Sequence, residues 1–237
     1  MAMRIIFLIF LILISVDLSA QVGPFLYANT DYVDFGRVPQ DSWFFHKVVL
    51  KSEDIDTLRI TDIDTYCSCI NISFDKEIIP PYDSAIALIS FYSSYFVGNR
   101  DWRPHIYING NALILKIRLT AFILADAQKY KPLHVFPHTV VASQFGDNVV
   151  TEFPLNIINV SGDYLPLDLK YDDTEFFRTE FPTFVAPHDT AVGKIILNEK
   201  GINSDFETSI TFEYPDEDGK QVAYSVPIKR NIYRRGE

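Results

Sequence analysis

The chain has 237 residues, of which 48% are hydrophobic and 14% aromatic, and its formal net charge is −10. That length and apolar content suit one large or two ordinary packed domains and exclude a globally disordered chain. The acidic balance argues against nucleic acid as a partner, because the chain has no basic stripe beyond the short tail of Lys229, Arg230, Arg234 and Arg235.

Residues 1–20 read as a signal peptide. Arg4 supplies the positive n-region, Ile5 to Val16 the apolar h-region, and Asp17-Leu-Ser-Ala20 ends in small residues before Gln21. The apolar run is shorter than the ~20 residues a membrane span needs. A periplasmic or secreted chain with no membrane span after cleavage is therefore expected. The size of Leu18 at its cleavage-site position leaves a retained anchor as the alternative.

From Phe25 onward the pattern is that of strands. Phe25 to Val38 contains a first strand, and Trp43 to Leu50 is aromatic and β-branched. Leu58-Arg-Ile60-Thr-Asp-Ile63 nearly alternates, as a half-buried strand does. Ile86 to Tyr92 is a further strand, and His105 to Ile108 leads into Asn109-Gly110, a pair suited to a turn with positive φ at both central positions. The longest alternation follows, with Leu113, Leu115, Ile117, Leu119, Ala121 and Ile123 on one face and Lys116, Arg118 and Thr120 on the other. No later segment shows a capped helical period, so the expected class is all-β.

The polar segment Asp126 to Pro132 separates two similar strand sets. Pro81-Tyr-Asp-Ser84 recurs as Pro187-His-Asp-Thr190, and Leu58-Arg-Ile60 recurs as Leu165-Pro-Leu167. The offsets are 187 − 81 = 106 and 165 − 58 = 107 residues, a period suited to a seven-stranded sandwich. The expected architecture is two tandem immunoglobulin-like β-sandwiches, residues 25–126 and 131–233, after the signal peptide.

The order of several short pieces in the first copy carries a family resemblance. These are Asp34-Phe35-Gly36-Arg37-Val38, Leu58-x-Ile60, Cys67-Ser68-Cys69, Ile79-Pro80-Pro81, Ile106-Tyr107-Ile108-Asn109 and Leu115-x-Ile117-x-Leu119-x-Ala121. In that order they resemble a bacterial envelope family of unknown function with Hydin-like (ASH-type) immunoglobulin-like domains. The resemblance covers residues 31–124 and implies a fold and an exported location, with no activity. This chain departs from the pattern at Tyr82 and Ser68, where glycine is usual, and the second copy has no cysteines.

Cys67 and Cys69 draw three readings. On an extended strand their Cα atoms would lie about 7 Å apart, at the limit for an unstrained disulfide. They are a buried inert thiol pair, a local disulfide, or a thiolate pair for redox exchange or a soft metal such as Cu(I). No His or basic residue adjoins them in sequence to lower a thiol pKa. His134 and His138 would sit roughly 13 Å apart on an extended segment, too far for a shared metal. Asn71-Ile-Ser73 and Asn159-Val-Ser161 match the N-glycosylation pattern, and Asp83-Ser84, Asp189-Thr190 and Asp56-Thr57 read as turn residues or O-glycosylation acceptors.

Catalytic, phosphate-binding and EF-hand motifs are absent from the sequence. The expectation is a non-enzymatic envelope protein, without cofactor, whose partner is another envelope protein or a surface polymer. Leu113, Leu115, Ile117 and Leu119 are its edge-strand binding residues if that strand lies at a sheet edge. The alternatives are a periplasmic chaperone-like protein using the same strand, and a thiol redox or copper-handling protein using Cys67 and Cys69.

Overall fold

The computed structural model describes residues 25–94, 96–127, 129–171 and 174–233. The expected signal peptide lies outside them. In chain order the first strands are β1 (Leu26–Ala28), β2 (Tyr32–Pro39), β3 (Trp43–Ser52), β4 (Leu58–Asp64), β5 (Ile70–Phe74) and β6 (Ile78–Ile79). They continue with β7 (Ser84–Tyr92), β8 (Gly98–Trp102), β9 (His105–Ile108), β10 (Leu113–Lys116) and β11 (Arg118–Leu124). Next come β12 (Leu133–Phe136), β13 (Val140–Val141), β14 (Gln144–Phe145), β15 (Glu152–Asn159), β16 (Leu165–Pro166), β17 (Asp168–Tyr171) and β18 (Phe177–Glu180). The described residues end with β19 (Phe184–Val185), β20 (Thr190–Leu197), helix α1 (Glu199–Asn203), β21 (Phe206–Pro215), β22 (Gln221–Arg230) and β23 (Ile232–Tyr233). The described residues are all-β apart from α1, a single short turn of helix whose Gly201 amide is capped by the Asn198 side chain.

Two hydrophobic cores form, one from residues 26–123 and one from residues 124–228. In the first, the sheet β1-β3-β7-β5 covers β4, β9, β10, β11 and β2, and Phe35 meets Phe91 with ring centroids 5.7 Å apart. The second repeats the order as β12-β15-β20-β18 over β17, β21 and β22, with Phe177, Phe212, Tyr214 and Tyr224 fully buried. The repeat seen in sequence is thus a repeat of topology. Leu58 pairs with Ile79 as Leu165 pairs with Val185.

The two units share one sheet. Its path is β17-β21-β22-β2-β11-β8, with Arg37 of β2 lying parallel and opposite Tyr224 of β22. Gly36 makes that approach possible. It sits at φ +64°, and a Cβ there would lie 2.2 Å from the Ala223 carbonyl oxygen. The register along β11 jumps from Thr120↔Asp34 to Phe122↔Arg37, so Gly36 also forms a β-bulge. The bulge keeps Val33, Phe35 and Val38 in the core while Asp34 and Arg37 face outward.

The second unit also covers an open edge of the first. β3 pairs with β7 along its length, but β1 covers only Leu50 to Ser52 on its other side. There the amides of Phe45 and Lys47 donate to Ser209 Oγ (2.9 Å) and Tyr171 Oη (3.3 Å). Val49 donates to Asn29 Oδ1 at 2.8 Å. Side chains thus stand in for a missing strand at every second amide.

Two sequence expectations need correction. The alternation from Leu113 to Ile123 is two strands, β10 and β11, separated at Ile117, whose amide donates to the Pro104 carbonyl. β10 pairs with β9, whereas β11 lies between β2 and β8. Leu113 and Leu115 therefore sit on an edge strand, while Ile117 and Leu119 are fully buried and belong to no edge. The second correction concerns Cys67 to Cys69, which occupy a turn and not an extended strand, bringing their Cα atoms to 5.1 Å and allowing a disulfide. The Asn109-Gly110 turn forms as expected, with φ of 49° and 72°.

Candidate functional site

The pairing register assembles a polar face on the outside of the shared sheet. Cross-strand partners project to the same side. Asp101 of β8, Thr120 of β11 and Asp34 of β2 therefore form one row, and Arg118 and Tyr32 form the next. Thr120 Oγ1 donates to Asp34 Oδ1 at 2.8 Å and contacts the Tyr32 hydroxyl at 2.9 Å. Arg118 places Nη2 and Nε at 2.8 and 3.1 Å from Asp101 Oδ2, with its guanidinium 5.5 Å from the Tyr32 ring centre. The Arg118 hydrogen bonds hold the Asp101 carboxyl below the usual carboxylate range, so it is ionised at neutral pH.

At the seam the second unit completes the face. Arg37 lies 4.9 Å from the Tyr130 ring, hydrogen-bonds the Tyr130 hydroxyl, and pairs with Asp216 at 3.4 Å. Asp216 is fixed by its own hairpin, because its Oδ1 accepts from the amides of Asp218 and Lys220. A trough of about 690 Å³ runs between these groups, walled by residues of both units. Its size falls in the range of ligand sites.

Past the break at Ile117 the outward side carries on into the neighbouring sheet, along β9 and β10, where His105 lies opposite Lys116 and Tyr107 opposite Ile114. At this end Tyr66 stands 62% exposed, its hydroxyl 2.9 Å from His105 Nδ1 and its ring perpendicular to the imidazole. Tyr66 begins the disulfide turn at φ 54°, and its amide donates to Asp64 Oδ1.

Cys67 and Cys69 sit beside that turn, half-buried and bonded to each other, both packed against the first core. In this form neither sulfur is a thiolate. Among the described residues no three His, Cys, Asp or Glu side chains converge to hold a metal ion. Asn159 is 1% exposed and its Nδ2 donates to the carbonyls of Asp163, Val185 and Ala186, so it is a structural residue and not a glycan acceptor. Asn71 is exposed on β5.

Of the residues singled out in sequence, Leu113 and Leu115 lie on the inner side of the β10 edge, and none of Leu113, Leu115, Ile117 and Leu119 lines the trough. Nothing local in the sequence marks Tyr32, Asp34, Arg37 and Asp101 as one site. The alternation of Lys116, Arg118 and Thr120 marked the outward face, but the parallel pairing with β2 has no local signal.

No curated protein matches the chain. Among solved structures, one from Porphyromonas gingivalis W83, of unknown function, is 11% identical, covering 86% of this chain and 99% of that one at a TM-score of 0.36. The YadV chaperone is 15% identical over 85% of this chain and 98% of its own, at a TM-score of 0.29. WR4, a C. elegans MSP family member, is 17% identical over 44% of this chain and 99% of its own, at a TM-score of 0.32. No helix of the described residues is long and apolar enough to cross a membrane. The first unit, at residues 26–123, matches the model of a family described as a protein of unknown function (DUF1573).

Proposed function

We propose that this chain is an exported, non-enzymatic binding protein of the bacterial envelope, periplasmic or secreted, that holds another envelope protein or a surface polymer. The Hydin-like (ASH-type) grouping belongs to the same reading. The observation that carries it is the trough at the seam, where two sandwiches are fused through one sheet into a fixed surface lined from both sides. A preorganised surface loses little freedom on binding. The test is co-sedimentation of the purified exported chain with washed cell envelopes. The expected result is retention that falls when Tyr32 and Arg118 are both replaced by alanine. Equal retention of the variant would remove the trough from the function, and turnover of an envelope substrate abolished by the same substitutions would make the chain an enzyme.

A second reading, a periplasmic chaperone-like role, is favoured by β10. This edge strand pairs only with β9 among the described residues and exposes Ile114. It would add a strand to an incomplete subunit, and stable co-purification of such a subunit would distinguish it. A redox or copper-handling role requires the Cys67–Cys69 bond to open. Rapid alkylation of the native protein after mild reduction is its discriminating test.

A further inference from the structure

We propose that the outer face running from Tyr66 to the seam trough is a track for a neutral oligosaccharide. This deepens the binding reading above and rests on it. Three properties of the face point to that ligand class.

The first is charge. An anion site gathers a clear excess of cations, but here the lining is close to balanced: Arg118 is matched by Asp101 and Arg37 by Asp216, and Arg100 and Lys220 stand against Asp34. What remains is an interleaved surface of donors and acceptors, with Thr120, Asp34 and the Tyr32 hydroxyl linked in a hydrogen-bonded chain. A sugar hydroxyl both donates and accepts, so neighbouring hydroxyls match such a surface better than a carboxylate or phosphate does.

The second is the placement of rings. Tyr32 is 46% and Tyr66 62% exposed, each with a polar tip held by a neighbour and a ring left at the surface. Such amphipathic rings offer an apolar platform beside hydrogen-bonding groups, which suits a sugar ring with its C–H face and its hydroxyl rim. The anchoring of Tyr66 by His105 fixes the platform before the ligand arrives. Lys116, opposite His105, is two residues from Arg118, opposite Tyr32, and His105 and Tyr32 flank that line on opposite sides, so the platforms are roughly 7 Å apart along the strands and two strand spacings, about 10 Å, apart across them. A short oligosaccharide spans both.

The third is backbone availability. A polypeptide added as a strand needs an open row of amides and carbonyls, yet at the centre of the face β11 is paired on both sides and β2 lies between β11 and β22, the open edges of β8 and β10 only bounding it. A ligand lying across the centre of the face must be read by side chains.

The test uses the intact exported chain and a panel of defined hexasaccharides, gluco-, manno- and galacto-configured, each neutral or carboxylated, titrated by calorimetry. The expected result is binding of at least one neutral member that changes little with salt, since no net ionic contact is formed. Tyr32→Ala and Tyr66→Ala should each weaken it by about tenfold, one stacked contact apiece. Tyr32→Phe, which keeps the ring, should retain most of the affinity, and the melting temperature of each variant checks the fold. Binding confined to carboxylated members, or neutral binding untouched by both alanine variants, would overturn the inference. If no hexasaccharide binds while washed envelopes still retain the chain through Tyr32 and Arg118, the sugar is wrong and the binding reading stands. If the envelopes also fail to retain it, both fall.

Discussion

The closing hairpins of the two units make the most informative contrast in the molecule. In the second unit β21 and β22 run together for ten unbroken pairs, from Phe206↔Arg230 to Pro215↔Gln221. In the first unit the same hairpin is cut into β8 with β11 and β9 with β10, at Pro104 on one arm and Ile117 on the other. Proline has no amide to give the ladder, and the interruption lets the two halves serve different neighbours. β9 takes β4, while β11 takes β2. The unbroken hairpin has the opposite need. β13 covers β22 only at Ile228 and Lys229, and β2 of the first unit lies beside Tyr224. One unit thus has a strand to lend, and the other has an edge to cover.

That lending turns on Gly36, and the largest predicted effect follows from it. Gly36→Ala adds a methyl group 2.2 Å from the Ala223 carbonyl oxygen at a φ of +64° that alanine disfavours. The backbone must separate, and the cost should be about 4 kcal/mol, at the upper end for a single substitution. Calorimetry checks the comparison directly. Wild type should melt in one transition because the units share a sheet, and Gly36→Ala should split it in two. A single, barely shifted transition in the variant would mean that the seam contributes little.

Next in size is Arg230, which ties the second unit together as Gly36 ties the two units. Its side chain is 1% exposed and donates to the carbonyls of Ala142 and Ile202 at 2.6 and 2.8 Å and to Gln144 Oε1 at 2.8 Å. Arg230→Ala leaves one buried and two part-buried acceptors without their donor, a loss of about 3 kcal/mol. Hydrogen exchange should show the largest loss in β13, β14 and α1, beyond whatever loss β3 and β7 of the first unit share through the common transition. Uniform loss of protection would mean that Arg230 acts only through that common transition and ties no local element.

His46 probes the contact between the units from the side of β3. Its ring lies 4.2 Å from that of Tyr171, and burial pushes its pKa down to about 4 from 6.5. The folded state resists protonation and the unfolded state does not, so stability is full above about pH 6.5 and falls as pH drops toward 4. The loss should reach up to about 3 kcal/mol at the lower limit. Urea unfolding of wild type and His46→Gln at pH 7 and pH 4.5 isolates the histidine, because carboxylates titrate alike in both. Parallel pH dependences would show that His46 is not a determinant of the contact.

How far the sequence discloses these arrangements depends on the distance over which each is built. The all-β class, the repeat and the Asn109-Gly110 turn are local patterns, and each is present in the structure. The break at Ile117 is hidden because the inward alternation passes through it, with Ile117 as buried as Leu119. Asp34-Phe35-Gly36 is legible as a motif, and Asp34 Oδ1 accepts the Gly36 amide to hold the bulge. That Gly36 meets Ala223 could not be read, since the partner belongs to the other unit. The trough escaped for the same reason, its rows being made by the pairing of β2 with β11.

The disulfide should have the smallest effect, and it separates the chemistry of the first unit from its architecture. Cys67–Cys69 encloses a single residue, so opening it restores little freedom to the unfolded chain, about 1.5 kcal/mol or less. Its place in the turn is also secured independently. Thr65 Oγ1 donates to the Cys67 carbonyl, the Cys67 carbonyl accepts the Ile70 amide, and the Cys69 carbonyl accepts the Tyr92 amide. Cys67→Ser with Cys69→Ser should therefore lower the melting temperature by only a few degrees and leave the seam intact. The second unit reaches the same sandwich without cysteines. A collapse of the first unit in the double variant would show that its turn depends on the bond. A small shift, with loss of ligand binding at the neighbouring Tyr66, would place the disulfide among the features that hold the binding face in shape.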